Sequence, residues 1–271
     1  MQGKIVYSVI FPEPGSLGKE RSDDVRKWLE EFLIPAGIAT LYEDEANAYL
    51  VATGDGGLIR AIREKHNKGK IFVGANRGTL GFLLNPIQKI KDIPLDFNEL
   101  QLVDLDLIQV TFILKDGSKV GPFLVFNDVM CGTKPAGWIK FTIQGSLSYY
   151  PNRTCWGNCV FVSTPQGATG LALKARGTGA VLPLDSKTWF VGGFAIGPYP
   201  CDIVQPQKIT IEVESREDPI YANADGRARE VENVAKVIVE PTDKSVTLGF
   251  LKSIDFAARR TQLAQKTERG E

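Results

Sequence analysis

Two short apolar stretches, each followed directly by a glycine-rich turn, constrain the fold of this chain most strongly. Tyr49 to Thr53 leads into the turn Gly54 to Gly57, and the apolar spacing from Leu58 to Ile62 then predicts a helix. Ile71 to Gly74 likewise leads into a second turn, Gly74 to Leu83. A strand, a glycine turn and a helix in succession form a βα unit, so this region is predicted to contain a mostly parallel sheet.

The N-terminal residues extend the same alternation. Lys4 to Phe11 predicts a strand, and apolar residues recur at helical spacing from Val25 to Leu33, after Ser22 as a predicted N-cap. We therefore predict an α/β domain with a Rossmann-like parallel sheet over residues 1–95.

From about Val103 the pattern changes to closely spaced runs typical of strands. They are Leu107 to Leu114, Pro122 to Met130, Trp138 to Ile143, Val160 to Ser163, Lys187 to Val191, Ile209 to Glu214 and Ala235 to Glu240. Such spacing predicts a β-rich, sandwich-like second domain over residues 96–245. Another strand, Val246 to Leu251, and a partly periodic helical tail follow it.

The composition excludes several classes of partner. The 271 residues are 43% hydrophobic, enough for a substantial core, and 32 Lys and Arg balance 32 Asp and Glu. A chain without net charge has no strong field for nucleic acid or an anionic membrane surface, and no apolar run of about 18 residues predicts a membrane span. The four cysteines lack the spacing of a zinc site, and we interpret them as reduced thiols of a cytoplasmic protein.

Asp55 is the residue that most strongly suggests chemistry. A carboxylate in a glycine turn between a strand and a helix lies where backbone N–H groups converge, so phosphate can approach it closely. The alternative is an ordinary βα turn in which Asp55 caps the helix. The segment Gly18-Lys19 is not a P-loop, and no Rossmann G-x-G-x-x-G follows a predicted strand.

The histidine content limits the possible mechanisms. His66 is the one histidine, and it lies in a polar helix end. A Ser-His-Asp or Cys-His mechanism therefore has no suitable base, which favours a carboxylate acting on a hydroxyl.

Four motifs, in this order, resemble those of the NAD kinase family. They are Gly54-Asp55-Gly56-Gly57, then Gly74-x-Asn76-x-Gly78-x-Leu80-Gly81-Phe82-Leu83, then Phe126-Asn127-Asp128, then Ser163-Thr164-Pro165-Gln166-Gly167-Ala168-Thr169. The resemblance implies an α/β lobe and a β-rich NAD-binding lobe, with the segment from about 246 to 271 packing back on the first. It also implies transfer of the terminal phosphate of ATP, or of polyphosphate, to the 2′-hydroxyl of the adenosine ribose of NAD.

The resemblance also implies a role for each matching residue. Asp55 would assist the attacking hydroxyl, while Gly54, Gly56 and Gly57 would contact the phosphates of the donor. The remaining residues would bind the dinucleotide: Phe82 near the adenine, Asn127 and Asp128 at ribose hydroxyls and amide groups, and Thr164, Thr169 and Gly170 along the adenine and nicotinamide ends. Mg²⁺ would arrive with ATP, no dedicated protein metal site is expected, and the chain is expected to form a homo-oligomer.

The chain also departs from the family pattern at several positions. Gly-Gly-Asp-Gly-Thr is common in the family, whereas Thr53 stands first and Gly57 last here. Asn158 replaces a carboxylate expected near the nicotinamide, and Leu171 replaces a tyrosine. Two alternatives therefore remain: a lipid or sphingoid kinase, which shares the Gly-Asp-Gly turn, and a noncatalytic NAD(P)-binding regulatory protein.

Overall fold

The structure is a computed structural model that describes residues 3–11, 19–134, 137–145, 154–170, 182–195, 202–215, 218–226 and 229–268. Contacts between Cα atoms divide the chain into two compact units: residues 1–105 with 245–271, and residues 106–244. The sequence predicts a domain boundary at residues 95/96, and this boundary remains a prediction.

The described residues of the first unit form a parallel sheet and three α-helices. Its elements are β1 (Tyr7–Ile10), α1 (Lys19–Trp28), β2 (Ala39–Thr40), β3 (Ala48–Thr53), α2 (Asp55–Lys65), β4 (Ile71–Asn76), the start of β5 (Leu100–Leu114), the end of β15 (Val234–Leu251) and α3 (Phe256–Glu268). The strand order is β2-β1-β3-β4-β15, and every one of these pairings is parallel.

Burial explains the position of this sheet. Every residue of β3 and β4 is buried, as expected for parallel strands that are covered on both faces. One face packs against Val25, Leu29 and Leu33 from the first helical segment. That helix begins at Lys19 and continues as a π-helical turn over Leu29–Leu33, so the prediction of Ser22 as its N-cap is wrong.

The described part of the second unit consists mainly of antiparallel strands. They are the end of β5, β6 (Lys119–Val125), β7 (Asp128–Thr133), β8 (Ile139–Gln144), β9 (Thr154–Ser163), β10 (Trp189–Ala195), β11 (Asp202–Val204), β12 (Ile209–Glu214), β13 (Ile220–Ala224), β14 (Glu230–Glu232) and the start of β15. The strand order is β14-β13-β7-β9-β8-β12-β15; β10 and β11 extend from β9, and β6 pairs with β5. The predicted fold class, a parallel α/β part followed by a β-rich part, is confirmed.

One predicted strand is two strands in the structure. The run Pro122 to Met130 divides at Phe126 and Asn127, between β6 and β7. The amide N–H groups of these two residues donate to the carboxylate of Asp225, at 2.8 and 2.7 Å, instead of continuing a ladder. The apolar pattern of this run does not indicate Asp225 as a partner, because Asp225 lies about a hundred residues further along the chain.

Candidate active site

Asp55 is the first residue of α2, and its side chain binds another loop. Gly54 is the N-cap of α2, and no side chain caps this helix. Instead, the Asp55 carboxylate accepts the backbone N–H of Phe82 (2.8 Å to Oδ2) and of Leu83 (3.0 Å to Oδ1). The alternative interpretation of Asp55 as a simple helix cap therefore does not describe this turn.

Close packing of the two glycine turns makes these bonds possible. A Cβ added to Gly78 would lie 3.2 Å from the Cα of Gly54, and the N–H of Arg77 donates to the carbonyl of Thr53 at 2.9 Å. The Asn76 side chain accepts the N–H of Gly78 at 2.9 Å. Gly81 has φ +70°, and a Cβ there would lie 2.4 Å from Cγ of Asn76. Glycine at these positions lets the second turn present its amides to Asp55.

Thr53 and Gly57 are the two departures from the family pattern in this turn. The Thr53 side chain occupies the space that a side chain at position 57 would need. A Cβ at Gly57 would lie 2.5 Å from Oγ1 of Thr53. The Thr53 side chain is fully buried, and its hydroxyl donates to the carbonyl of Gly54 at 2.9 Å. The family has glycine at the first of these positions and threonine at the last, so this chain exchanges the two residue types. Gly56, between them, is exposed and has open space where a side chain would point.

Two arginines of α3 set the charge around Asp55. Burial raises the pKa of Asp55, whereas the two amide hydrogen bonds and the charges of Arg259 and Arg260 oppose the rise. Burial also lowers the pKa of Arg260 to about 10, which leaves it protonated near neutral pH. Asp55 is thus a carboxylate whose pKa is raised by burial, in the field of two positively charged arginines.

In the second unit, the turn at Phe126 and Asn127 is bound to the loop after β9. The Thr164 hydroxyl lies 2.8 Å from the carbonyl oxygens of both Phe126 and Asn127, and it donates to this pair. The Gln166 amide donates to the carbonyl of Phe126 at 2.7 Å. Gly167 is required here, because a Cβ would lie 2.4 Å from the carbonyl oxygen of Asn127. Thr164 therefore fixes the turn, and a contact with a ligand remains a prediction for it.

Asn127 leaves an acceptor without a partner. Among the residues that the structure describes, no group donates to the buried Oδ1 of Asn127. A buried polar atom without a hydrogen bond is uncommon in folded proteins and costs free energy. This oxygen is therefore suited to accept a hydrogen bond from a ligand.

Asp128 and Asp225 form an acidic pair beside this turn. Asp225 accepts the N–H of Phe126 and Asn127, and its own N–H donates to the carbonyl of Asp128 at 2.9 Å. Burial and the charge of Asp225 raise the pKa of Asp128 to about 7. Burial also raises the pKa of Asp225, whereas the amide donors of Phe126 and Asn127 oppose this rise by stabilising its ionised form.

The remaining predicted residues also lie in the second unit. Thr169 ends a 3₁₀-helix at Gly167–Thr169, and a Cβ on the exposed Gly170 would lie 3.7 Å from Oδ2 of Asp128. Asn158 lies in β9 where the register with β10 shifts, and its amide donates to the carbonyl of Gly137 at 3.1 Å. Its predicted contact with the nicotinamide remains a prediction. Leu171 lies outside the described residues.

Three further predictions concern Phe82, the cysteines, and membrane or metal binding. The Phe82 side chain is buried, its backbone N–H donates to Asp55, and its contact with the adenine remains a prediction. Cys131, Cys155 and Cys159 are free thiols, and Cys201 lies outside the described residues. In the described part of the chain, no helix is long and apolar enough to span a bilayer, and no group of three or more His, Cys, Asp or Glu could hold a metal ion.

Asp225, Arg259 and Arg260 are not among the residues predicted from the sequence. Asp225 and Gly226 have φ of 53° and 79° and follow β13, so an Asp-Gly dipeptide after a strand was a usable signal for a tight turn. It predicts the turn but gives no reason to expect the amides of Phe126 and Asn127 as partners. The two arginines had no comparable signal, because the apolar pattern of α3 is weak.

Solved structures identify the class of protein to which this fold belongs. The NAD kinase from Archaeoglobus fulgidus in complex with ATP superimposes with a TM-score of 0.70 at 15% identity, covering 96% of this chain and 99% of that chain. Yeast NADH kinase complexed with NADH gives a TM-score of 0.69 at 14% identity, covering 95% and 86%. The chain therefore has the fold of the NAD(H) kinases.

Sequence comparison makes the assignment more specific. The NAD kinase of Brucella suis is 28% identical over 228 residues, which cover 80% of this chain and 84% of that protein. No protein-family model matches the chain. The chain is a homologue of the NAD kinases in sequence over most of its length and in fold over nearly all of it, which confirms the resemblance and indicates a kinase.

Proposed function

We propose that this protein is an NAD kinase, which transfers the terminal phosphate of ATP to the 2′-hydroxyl of the adenosine ribose of NAD and so forms NADP. The observation that carries the proposal is the Asp55 carboxylate, held by two backbone amides at the start of α2. The homology to NAD kinases indicates the reaction, and this geometry supports Asp55 as its base.

The hydrogen bonds of Asp55 leave it able to act as a base. Each carboxylate oxygen has two acceptor positions, and the N–H groups of Phe82 and Leu83 occupy one on each oxygen. The other position remains for the proton of an attacking hydroxyl. Burial raises the pKa of Asp55 and thereby makes it a stronger base than an exposed aspartate.

In this proposal Mg²⁺ is part of the substrate, as MgATP. Asp55 makes a poor ligand for a divalent cation, because the positive charges of Arg259 and Arg260 already act on its carboxylate. Positioning the donor then falls to backbone groups of the Gly54 to Gly57 turn and to the N-terminus of α2. Bound to the phosphates, the ion would offset charge that develops in the transition state.

The dinucleotide would bind to the second unit through the turn at Asn127 and Asp128. The unpaired Oδ1 of Asn127 can accept from a hydroxyl or amino group. Asp128 and Gly170 lie side by side, so a hydroxyl could approach the carboxyl group without obstruction by a side chain at position 170. A partly protonated Asp128 could donate to the ligand as well as accept from it.

A single assay with several substrates tests the function. Purified protein is incubated with NAD, MgATP and buffer, and NADP is measured with an NADP-specific dehydrogenase. Parallel reactions replace ATP with polyphosphate, NAD with NADH, and NAD with sphingosine or diacylglycerol. NADP formation supports the proposal. Phosphorylation of the lipid alone would identify a lipid kinase, and NAD binding without turnover would identify a noncatalytic protein.

We further propose that the protein is a cytoplasmic homo-oligomer. Cell fractionation would test the localisation, and light scattering would test the oligomeric state.

A further inference from the structure

The segment Gly81 to Leu84 bonds to two charged side chains. Its amides, from Phe82 and Leu83, donate to the Asp55 carboxylate at 2.8 and 3.0 Å. Its outer carbonyls, from Gly81 and Leu84, accept from Nη1 of Arg259 at 2.9 and 2.8 Å. A carboxylate thus binds the middle of the segment, and a guanidinium group binds both of its ends.

One peptide group links the two charges directly. The carbonyl of Gly81 and the N–H of Phe82 belong to the same planar trans peptide, so they point in opposite directions. Arg259 therefore donates to one side of this peptide, while the other side donates to Asp55. Hydrogen bonds connected in this way polarise and strengthen one another in a low-dielectric setting.

We infer that Arg259 is a positioning residue for the phosphoryl transfer, acting on Asp55 through the Gly81–Phe82 peptide rather than by touching the substrate. The inference rests on the proposed function, because it assigns Asp55 as the base. Because Arg259 lies in α3, the inference gives this helix a role in orienting the base.

The surroundings of Arg259 fit a dedicated role. Burial lowers the pKa of Arg259, and the charge of Asp55 opposes this change. Among the described residues, the charged groups that act on Asp55 are Arg259 and Arg260 of α3, and the amides of Phe82 and Leu83 also act on it. Loss of Arg259 removes one of these charges and also releases both ends of the segment that supplies the amides. The pKa of Asp55 should therefore rise when Arg259 is replaced.

Three variants separate positioning from mere support of the fold. Arg259→Met removes the charge and both hydrogen bonds. Arg259→Lys keeps the charge but replaces the planar fork with a single ammonium group. Lys266→Met, at an exposed lysine of the same helix, is the matched control for loss of a positive charge. Each variant is assayed for NADP formation as a function of pH, at a temperature where it is fully folded.

For Arg259→Met we expect kcat to fall by about 10- to 100-fold, the range for a displaced catalytic group, with the KM values for NAD and ATP little changed. The acid limb of the kcat profile should move to higher pH. Arg259→Lys should lie between wild type and Arg259→Met, and Lys266→Met should match wild type. If folded Arg259→Met and Arg259→Lys both keep the wild-type kcat and acid limb, Arg259 supports only the fold and the inference is wrong.

A second readout does not depend on activity. In protein labelled with ¹³C at the aspartate carboxyl carbons, the Asp55 signal is assigned by its loss in Asp55→Asn and titrated in wild type and in both Arg259 variants. An apparent pKa that rises in Arg259→Met supports the coupling of Arg259 to Asp55 on which the inference depends, whether or not the wild type forms NADP. An unchanged titration in folded Arg259→Met contradicts the inference, whatever the activity.

Discussion

Replacing Asp55 with Asn tests the proposed base, and the structure sets the expected cost to stability. Asn offers one acceptor oxygen, so its NH₂ group would face either the N–H of Phe82 or that of Leu83. One hydrogen bond to a charged group is lost, and a buried donor is left without a partner. Such a loss typically costs about 1.5–3 kcal/mol in the free energy of unfolding.

The expected effect on rate is larger than the effect on stability. A positioned base contributes roughly 10²–10⁴ in rate, or about 3–5 kcal/mol of activation free energy. We therefore expect kcat for NADP formation to fall by that factor in Asp55→Asn. The assay uses saturating NAD and MgATP, at a temperature where urea titrations show both proteins more than nine-tenths folded.

Asp96→Asn is the matched control for this prediction. Asp96 caps a 3₁₀-helix of the same unit by accepting the N–H of Asn98 at 2.7 Å, and Asn caps about as well as Asp. The control should change neither rate nor stability measurably. If Asp55→Asn loses stability but keeps kcat within threefold of wild type, Asp55 only anchors the second glycine turn and is not the base.

Three further predictions concern other positions. Thr53→Gly leaves a void and Gly57→Thr creates a clash, so the double variant should be more stable than the sum of the single effects by about 0.5–3 kcal/mol in urea titrations. Asp128→Asn should gain stability relative to wild type as pH rises. The raised pKa of Asp128 favours folding at low pH, and this contribution is lost between about pH 4 and about pH 7. Asn158→Asp should lower the KM for NAD more than it raises kcat, with some loss of stability because the bond to Gly137 disappears.

Each of these predictions has an outcome that contradicts it. Strictly additive effects at positions 53 and 57 would show that the two side chains do not share one space. A stability difference between wild type and Asp128→Asn that stays constant from pH 4 to pH 9 would contradict the assigned titration. An unchanged KM in a folded Asn158→Asp variant would remove Asn158 from the dinucleotide site.

The parallel sheet of the first unit was predictable because its signals are local. β3, the turn at Asp55 and α2 are consecutive in sequence, and their apolar spacing reports burial directly. The antiparallel class of the second unit was equally visible in its closely spaced runs. The separation of β6 from β7 was not, because what ends β6 is a hydrogen bond from Phe126 to the distant Asp225.

The candidate site was predictable only as a set of motifs. The sequence, through its resemblance to the family, indicates Asp55, Asn127 and Asp128, but it cannot show what each side chain binds. Asp55 binds amides of a loop 27 and 28 residues away instead of capping its own helix. Thr164 was predicted to contact a ligand, but its hydroxyl donates to the carbonyls of Phe126 and Asn127.

Both units hold a predicted motif in place with a charged residue from far along the chain. In the second unit the Asp225 carboxylate accepts the amides of Phe126 and Asn127, and in the first unit the Arg259 guanidinium donates to the carbonyls of Gly81 and Leu84. These partners are backbone groups, which every residue type except proline presents alike, so no pattern of side chains within the motifs specifies the pairing. A relative of this protein could therefore keep all four motifs and still lose activity through a substitution at the position of Asp225 or Arg259. Intact motifs are thus an incomplete criterion for activity in this fold, and the residues that bind the motif backbone need to be compared as well.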